Sequence, residues 1–150
     1  MTDGYMILKN QSLLNVIKNT DAKVILTLSS MSKDNINQPW LSEVLPRTHI
    51  LFCDELEYNL IDLKNSKMPD ICVKTLGASG CEVYTDKKWR HYGPAPLKKS
   101  EIVNTTGAGD AFAAGFIYAL IKSYSLNKIV DIANDVSTRV LKSELSYISR

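Results

Sequence analysis

Cysteine is scarce in this chain, with three in 150 residues: Cys53, Cys72 and Cys81. Their number is odd, no C-x-x-C pair occurs, and each stands beside apolar or β-branched neighbours. That pattern speaks for buried thiols in a reducing compartment rather than disulfides or zinc ligands. Metal-type spacing is also missing around His49 and His91, so both read as surface or strand-edge residues. No apolar run approaches a membrane span. The segment Met1 to Asn10 lacks a basic stretch followed by an apolar one, so no signal peptide is expected and a cytoplasmic location is inferred. Charge of one sign is lacking too: 18 basic against 16 acidic residues leave a formal net charge of +2. Such a balance gives no argument for nucleic acid or a membrane surface as partner. The Lys87-Lys88 and Lys98-Lys99 pairs read as solvated faces. Aromatics are 8% of the chain, and the tyrosines form no stacking platform with basic residues.

What is present fits one ordinary globular domain with a single core, 45% hydrophobic and 23% charged. Leu13, Leu14 and Ile17 predict a short helix ending near Asn19. Val24 to Leu28, His49 to Cys53 and Ile71 to Leu76 are short apolar runs without clean alternation, as expected of strands buried on both faces. Ser30 to Gln38 reads as a polar turn region. A helix is predicted from Pro39 to Leu45, with Pro46 after its end. Cys81 to Thr85 and Lys88 to Tyr92 predict a hairpin around Asp86-Lys87. Two helices close the chain, one from about Gly109 to Ser123 and one with Ser125 as N-cap, carrying Leu126, Ile129, Val130, Ala133, Val136 and Val140. Alternating strands and helices imply an α/β domain with a largely parallel sheet. Trp40 and Trp89 read as packing residues.

Chemistry concentrates at Asn104 to Phe116. The small residues of Thr105-Thr106-Gly107-Ala108-Gly109 let backbone N–H groups approach an anion. The helix that follows adds unpaired N–H groups and the positive end of its dipole. Asp110 in the first turn is favoured there by roughly 0.3–1 kcal/mol. Functionally, the nest would hold a phosphoryl group while Asp110 accepts the proton of an attacking hydroxyl. Read without function, it is a glycine-rich turn with an ordinary first-turn carboxylate. A dinucleotide-binding unit is disfavoured, since no β-α-β unit with a ribose-binding acid follows the glycines.

The run Asn104-Thr-Thr-Gly-Ala-Gly-Asp-Ala-Phe-Ala-Ala-Gly-Phe116 resembles the C-terminal signature of the ribokinase-like (PfkB) family of carbohydrate and nucleoside kinases. The family pattern is Asp-Thr-x-Gly-Ala-Gly-Asp followed by a helix of small and aromatic residues. The resemblance implies a three-layer, Rossmann-like sheet flanked by helices, with ATP and Mg²⁺ as cofactors and a sugar or nucleoside as phosphate acceptor. It implies that Gly107, Ala108, Gly109 and Asp110 form the anion hole and that Asp110 is the catalytic base. Asn104 and Thr105 would then lie at the nucleotide. Ala111, Ala113, Ala114 and Gly115 would let the helix lie close to the sheet, with Phe112 and Phe116 in the core. Val73 to Gly80 looks like the strand and turn beside the nucleotide, with Thr75 and Gly77 as contacts and Gly80 permitting the turn. Glu57 matches the acid of the family's Asn-x-x-Glu motif, which acts on Mg²⁺ through water; read alone, it belongs to a solvated acidic loop. Asn134 falls where the family faces the adenine. Thr2 to Met6, Leu26 to Ser30 and Ile50 to Glu55 are similar to the adenosine kinase-like branch.

The resemblance covers the second half of a family member, so residues 1–150 are expected to be a truncated kinase domain. The first strands, the Gly-Gly substrate motif and the lid belong to the other half. Asn104 replaces the first Asp of the signature and Asp54 stands in place of the motif's Asn. The link from Glu57 to Ile71 is short and expected to lack a helix. Two functions stay open: an ATP-dependent phosphotransferase, or a degenerate non-catalytic fragment serving as a nucleotide-binding or protein-interaction module. Exposed apolar surface and a free strand edge would favour self-association or pairing with a separate N-terminal half.

Overall fold

A computed structural model of the chain describes residues 1–28, 31–36, 39–61 and 67–144. The chain divides into two compact units, Met1–Gly77 with Cys81–His91, and Ala78–Gly80 with Tyr92–Arg150. Six strands pair in sequence order: β1 (Thr2–Asp3), β2 (Val24–Thr27), β3 (Thr48–Asp54), β4 (Ile71–Thr75), β5 (Cys81–Thr85) and β6 (Lys88–Tyr92). The first four run parallel and β5 is antiparallel to β4. Parallel neighbours need a crossover, and α1 (Gly4–Lys9), α2 (Gln11–Asn19), α3 (Lys33–Ile36), α4 (Pro39–Val44) and α5 (Glu55–Leu60) lie in those connections.

The strands are apolar without alternation because both faces are covered. Leu26, Leu51 and Cys72 are fully buried in a cluster with Ile7, Leu14, Ile17 and Leu41. Their neighbours Ile50, Phe52, Val73 and Val83, turned to the opposite face by the two-residue period, are buried as well. Each such side chain contributes about 1.5–3 kcal/mol. The predicted hairpin forms, with left-handed Asp86 (φ 52°) and Lys87 (φ 60°) at its turn. Two consecutive positive φ values match the right-handed twist of the flanking strands.

The sequence predicts no element in the first ten residues; they form β1 and α1, and the Asp3 carboxylate caps the start of α1 by accepting from the amides of Tyr5 (2.7 Å) and Met6 (3.3 Å). Asn10 caps α2 in the same way. Several other local expectations are corrected. The polar turn region contains the helical turn α3, with Ile36 buried; residues 29–30 and 37–38 lie outside the described residues. Pro46 sits within a 3₁₀ turn, Leu45–Arg47, that continues α4. Glu57 lies inside α5, which carries the start of the link as far as Leu60 and opens where Asp54 and Glu57 cap each other's backbone amides. Residues 62–66 of that link lie outside the described residues.

In the second unit α6 (Ala108–Ile121) packs along α7 (Leu126–Leu141). Phe112 and Phe116 are buried as expected, their ring centroids 6.3 Å apart. At Gly115 the close approach is to α7: a Cβ there would lie 3.0 Å from Ala133 Cα. Ala113 is buried and Ala114 is exposed. Ser125 occupies the N-cap position of α7, yet its side chain makes no capping hydrogen bond.

Candidate functional site

The helix start predicted from Gly107 to Asp110 is formed. Gly107 is left-handed (φ 80°) at the N-cap of α6, a conformation a side chain would strain. This turn lets the chain enter the helix with its amides facing outward. The Ala108 amide donates to the Thr105 carbonyl (3.3 Å) and Ala111 to Gly107 (2.9 Å). Between them, Gly109 and Asp110 carry the open donors of a helix start. Both are exposed, and the Asp110 carboxylate lies in the first turn.

Two sets of bonds hold this turn. The Ser137 hydroxyl of α7 donates to the Ala108 carbonyl at 2.9 Å. Upstream, the amides of Val103 (2.8 Å) and Asn104 (3.3 Å) both donate to the Leu141 carbonyl near the end of α7. The Asn104 side chain works at both ends: Oδ1 accepts from the Thr106 amide (2.9 Å) and Nδ2 reaches the Glu144 carbonyl (3.5 Å). An aspartate could accept the first bond but could not donate the second. Lys142 pairs with Glu101 at 2.8 Å, and that lysine holds the Glu101 carboxyl below the usual range, helped by the Lys98 amide.

Asn134 lies on α7 one turn before Ser137 and is partly exposed. Gly80 belongs to this unit as well. Its φ is +92°, and a Cβ there would lie 2.1 Å from the Tyr92 carbonyl oxygen. Glycine at this position is therefore required by the backbone crossing, whatever else it touches.

Glu57, Thr75 and Gly77 lie in the first unit. Glu57 is not solvated: it is 4% exposed. One carboxylate oxygen accepts from the Met31 amide (2.8 Å) and the other from the Asp54 amide (2.9 Å), while Asp54 accepts from the Glu57 amide (2.7 Å). The acid that stands in place of the motif's Asn thus forms one half of a capping box. Thr75 pairs in register with Asp54 across β3 and β4, and its hydroxyl reaches the Cys53 carbonyl at 3.4 Å. Gly77 is exposed and left-handed (φ +56°), with open space where a Cβ would point.

The sequence picked out the α6 start and the acid at 57, but it missed the groups that hold them. Ser137, the Leu141 carbonyl and the Met31 amide carry no local signal, because each acts on a residue 26 or more positions away. The other singled-out residues fall to packing. Trp40 is buried and donates to the Asn35 carbonyl, and His49 accepts from the Val24 amide. Trp89 is 37% exposed, with its ring against Tyr58 and Tyr84. All three cysteines are buried free thiols. A hydrogen bond with Cys72, reinforced by burial, pushes the Cys53 thiol far above the ordinary range, and burial pushes Cys81 up to about 11. Among the described residues no group of three or more His, Cys, Asp or Glu is arranged to hold a metal ion. No described helix is long and apolar enough to cross a membrane.

Comparison with known proteins bears on the fold and the family. The chain is 33% identical over 112 residues to a cytidine kinase of Thermococcus kodakarensis, a match covering 68% of this chain and 40% of that protein. An adenosine kinase of Schistosoma mansoni, solved with 2-fluoroadenosine, superposes with TM-score 0.82 at 18% identity, covering 99% of this chain and 51% of that one. A sugar kinase of Pyrococcus horikoshii solved with ATP gives TM-score 0.81 at 18% identity, covering 97% and 52%. The chain therefore spans about half the length of the relatives it matches. The family model described as pfkB family carbohydrate kinase matches residues 10–149, and the ribokinase-like fold expected from the sequence is the fold found. On that match over nearly its whole length, the chain belongs to the pfkB family of carbohydrate kinases.

Proposed function

We propose that this chain is the nucleotide-binding and phosphoryl-transfer part of a kinase that moves the γ-phosphoryl group of ATP to a hydroxyl of a nucleoside or sugar. One observation carries the reading: left-handed Gly107 opens α6 with the amides of Gly109 and Asp110 unsatisfied and the Asp110 carboxylate exposed beside them. Amides and helix dipole would stabilise charge on the transferring phosphoryl group. Asp110 would accept the proton of the attacking hydroxyl as its oxygen bonds to phosphorus and the bond to the β-phosphate oxygen breaks, leaving ADP. Thr75 and Gly77 of the first unit, and separately Thr105 and Asn134 of the second, are proposed to touch nucleotide. The proposed acceptor class is supported by relatives that are named cytidine kinase, adenosine kinase and sugar kinase.

A divalent cation fits these residues only through water. The Glu57 oxygens each accept one backbone amide and are buried, and no described cluster of acids could replace the ion's own shell. Mg²⁺ keeps several waters and binds mainly through phosphates, so one water between ion and Glu57 is compatible. When bound, it would neutralise phosphate charge.

A non-catalytic nucleotide-binding or interaction module is the second reading. It is favoured by the Thr106 amide being taken by the Asn104 side chain. Substrate positioning and water exclusion can supply about 7–11 kcal/mol of a barrier, and in the relatives part of the length that this sequence does not span is available to provide it. A coupled ATP-turnover assay over a nucleoside and sugar panel separates the two. Asp110→Asn should lower turnover by about 10²–10⁴-fold with nucleotide affinity little changed. Turnover surviving the substitution would remove the role given to Asp110, and ATP binding without turnover would select the second reading.

A further inference from the structure

Lys74 on β4 is the one charged side chain of the first unit enclosed by aromatic rings on two sides among the described residues. Its ammonium lies 4.9 Å from the ring centre of Tyr58 on α5 and 5.3 Å from that of Trp89 on β6. Glu82 on β5 binds it at 2.7 Å, and the lysine side chain is 14% exposed. The rings brace one another, Tyr58 edge-on to Trp89 and Trp89 against Tyr84, each with centroids 5.4 Å apart. Burial works against the lysine's charge, but the hydrogen bond and charge of Glu82, joined by Glu55 and Tyr58, leave the net shift upward.

The place of this cluster gives it a consequence. Tyr58 directly follows Glu57, and Lys74 directly precedes Thr75. Glu57 is held at the start of α5 by its capping box, and Thr75 lies opposite Asp54 in the sheet. One cation therefore ties the helix bearing Glu57 to the strand end bearing Thr75, and the β5–β6 hairpin closes over the tie through Glu82 and Trp89. We propose that Lys74 is a positioning residue that sets the Asp54–Glu57 helix start against the Thr75 end of β4, and so shapes the nucleotide side of this unit. The link to nucleotide rests on the function proposed above; the tie itself does not.

Lys74→Met keeps the aliphatic stem and removes the charge, and Lys74→Arg restores a cation that stacks on aromatic rings. Amide hydrogen exchange at Met31 and Asp54, both bonded to the Glu57 carboxylate, reads the position of α5. In Lys74→Met these two amides should exchange about tenfold faster while the Leu26 and Leu51 amides of the central strands keep their rates; Lys74→Arg should restore protection. Uniform acceleration at all four amides, or no change at Met31 and Asp54, overturns the positioning role. Titration with MgATP tests the second half: Kd should rise about three- to tenfold in Lys74→Met and return in Lys74→Arg. An unchanged Kd beside faster exchange would overturn the link to nucleotide. If the unaltered chain binds no MgATP, the proposed function fails, and the exchange rates still decide whether Lys74 is the tie.

Discussion

Replacing Glu57 by Ala distinguishes a structural carboxylate from one that serves a ligand alone. In the folded chain the side chain is 4% exposed and accepts from two backbone amides, Met31 at 2.8 Å and Asp54 at 2.9 Å. A hydrogen bond to a charged group contributes about 1.5–3 kcal/mol, so two such bonds total roughly 3–6 kcal/mol. Removing a buried charge returns part of this, since its desolvation is relieved. The Asp54 side chain keeps its own bond to the position-57 amide, so half of the capping box survives. The expected net loss is about 3 kcal/mol, and Glu57→Gln, which keeps one acceptor, should lose about half of that. Both tryptophans, Trp40 and Trp89, belong to the first unit, so their fluorescence during urea unfolding reports the unit that contains Glu57. A loss under about 0.5 kcal/mol for Glu57→Ala would refute the buried, doubly bonded carboxylate. It would favour a side chain held for a ligand alone, because a solvated acid costs little to remove.

Gly80→Ala should destabilise by about 3 kcal/mol or more in thermal unfolding, because its Cβ would meet the Tyr92 carbonyl at 2.1 Å at a φ of +92°. Gly77→Ala has open space and should lose only about 1 kcal/mol; equal losses would contradict the backbone crossing. Cys53, Cys72 and Cys81 should resist a thiol-specific reagent in the native chain and all react in urea. At about pH 8 only about a thousandth of Cys81 is thiolate with its pKa at about 11, and rapid native labelling would disprove its burial. Glu101 has a depressed folded pKa, so its contribution is present above the ordinary carboxyl value of 4.5 and is lost as pH falls through the lower folded value. Acid titration of Glu101→Gln should lack that part of the stability loss; an unchanged acid limb would remove the Lys142–Glu101 pair from the account.

The sequence by itself determined the elements whose signals are short-ranged. The apolar runs Val24 to Leu28, His49 to Cys53 and Ile71 to Leu76 declare buried parallel strands and need no partner to be read; the strands found are Val24–Thr27, Thr48–Asp54 and Ile71–Thr75. Asp86-Lys87 declares the hairpin, and Gly107-Ala108-Gly109-Asp110 declares the helix start that carries the family signature. Shorter elements escaped: α1 has six residues, too few for a period, although Asp3 caps it openly. Tertiary structure alone decided the rest. Glu57 reads as a solvated acid until Met31, 26 residues earlier, donates to it. Asn104 reads as a lost charge until the Glu144 carbonyl supplies a reason for its amide. Gly115 reads as room for the sheet until Ala133 is found against it. Periodicity, caps and turns are energies of neighbours along the chain, whereas burial and hydrogen-bond partnership are set by residues that folding alone brings near.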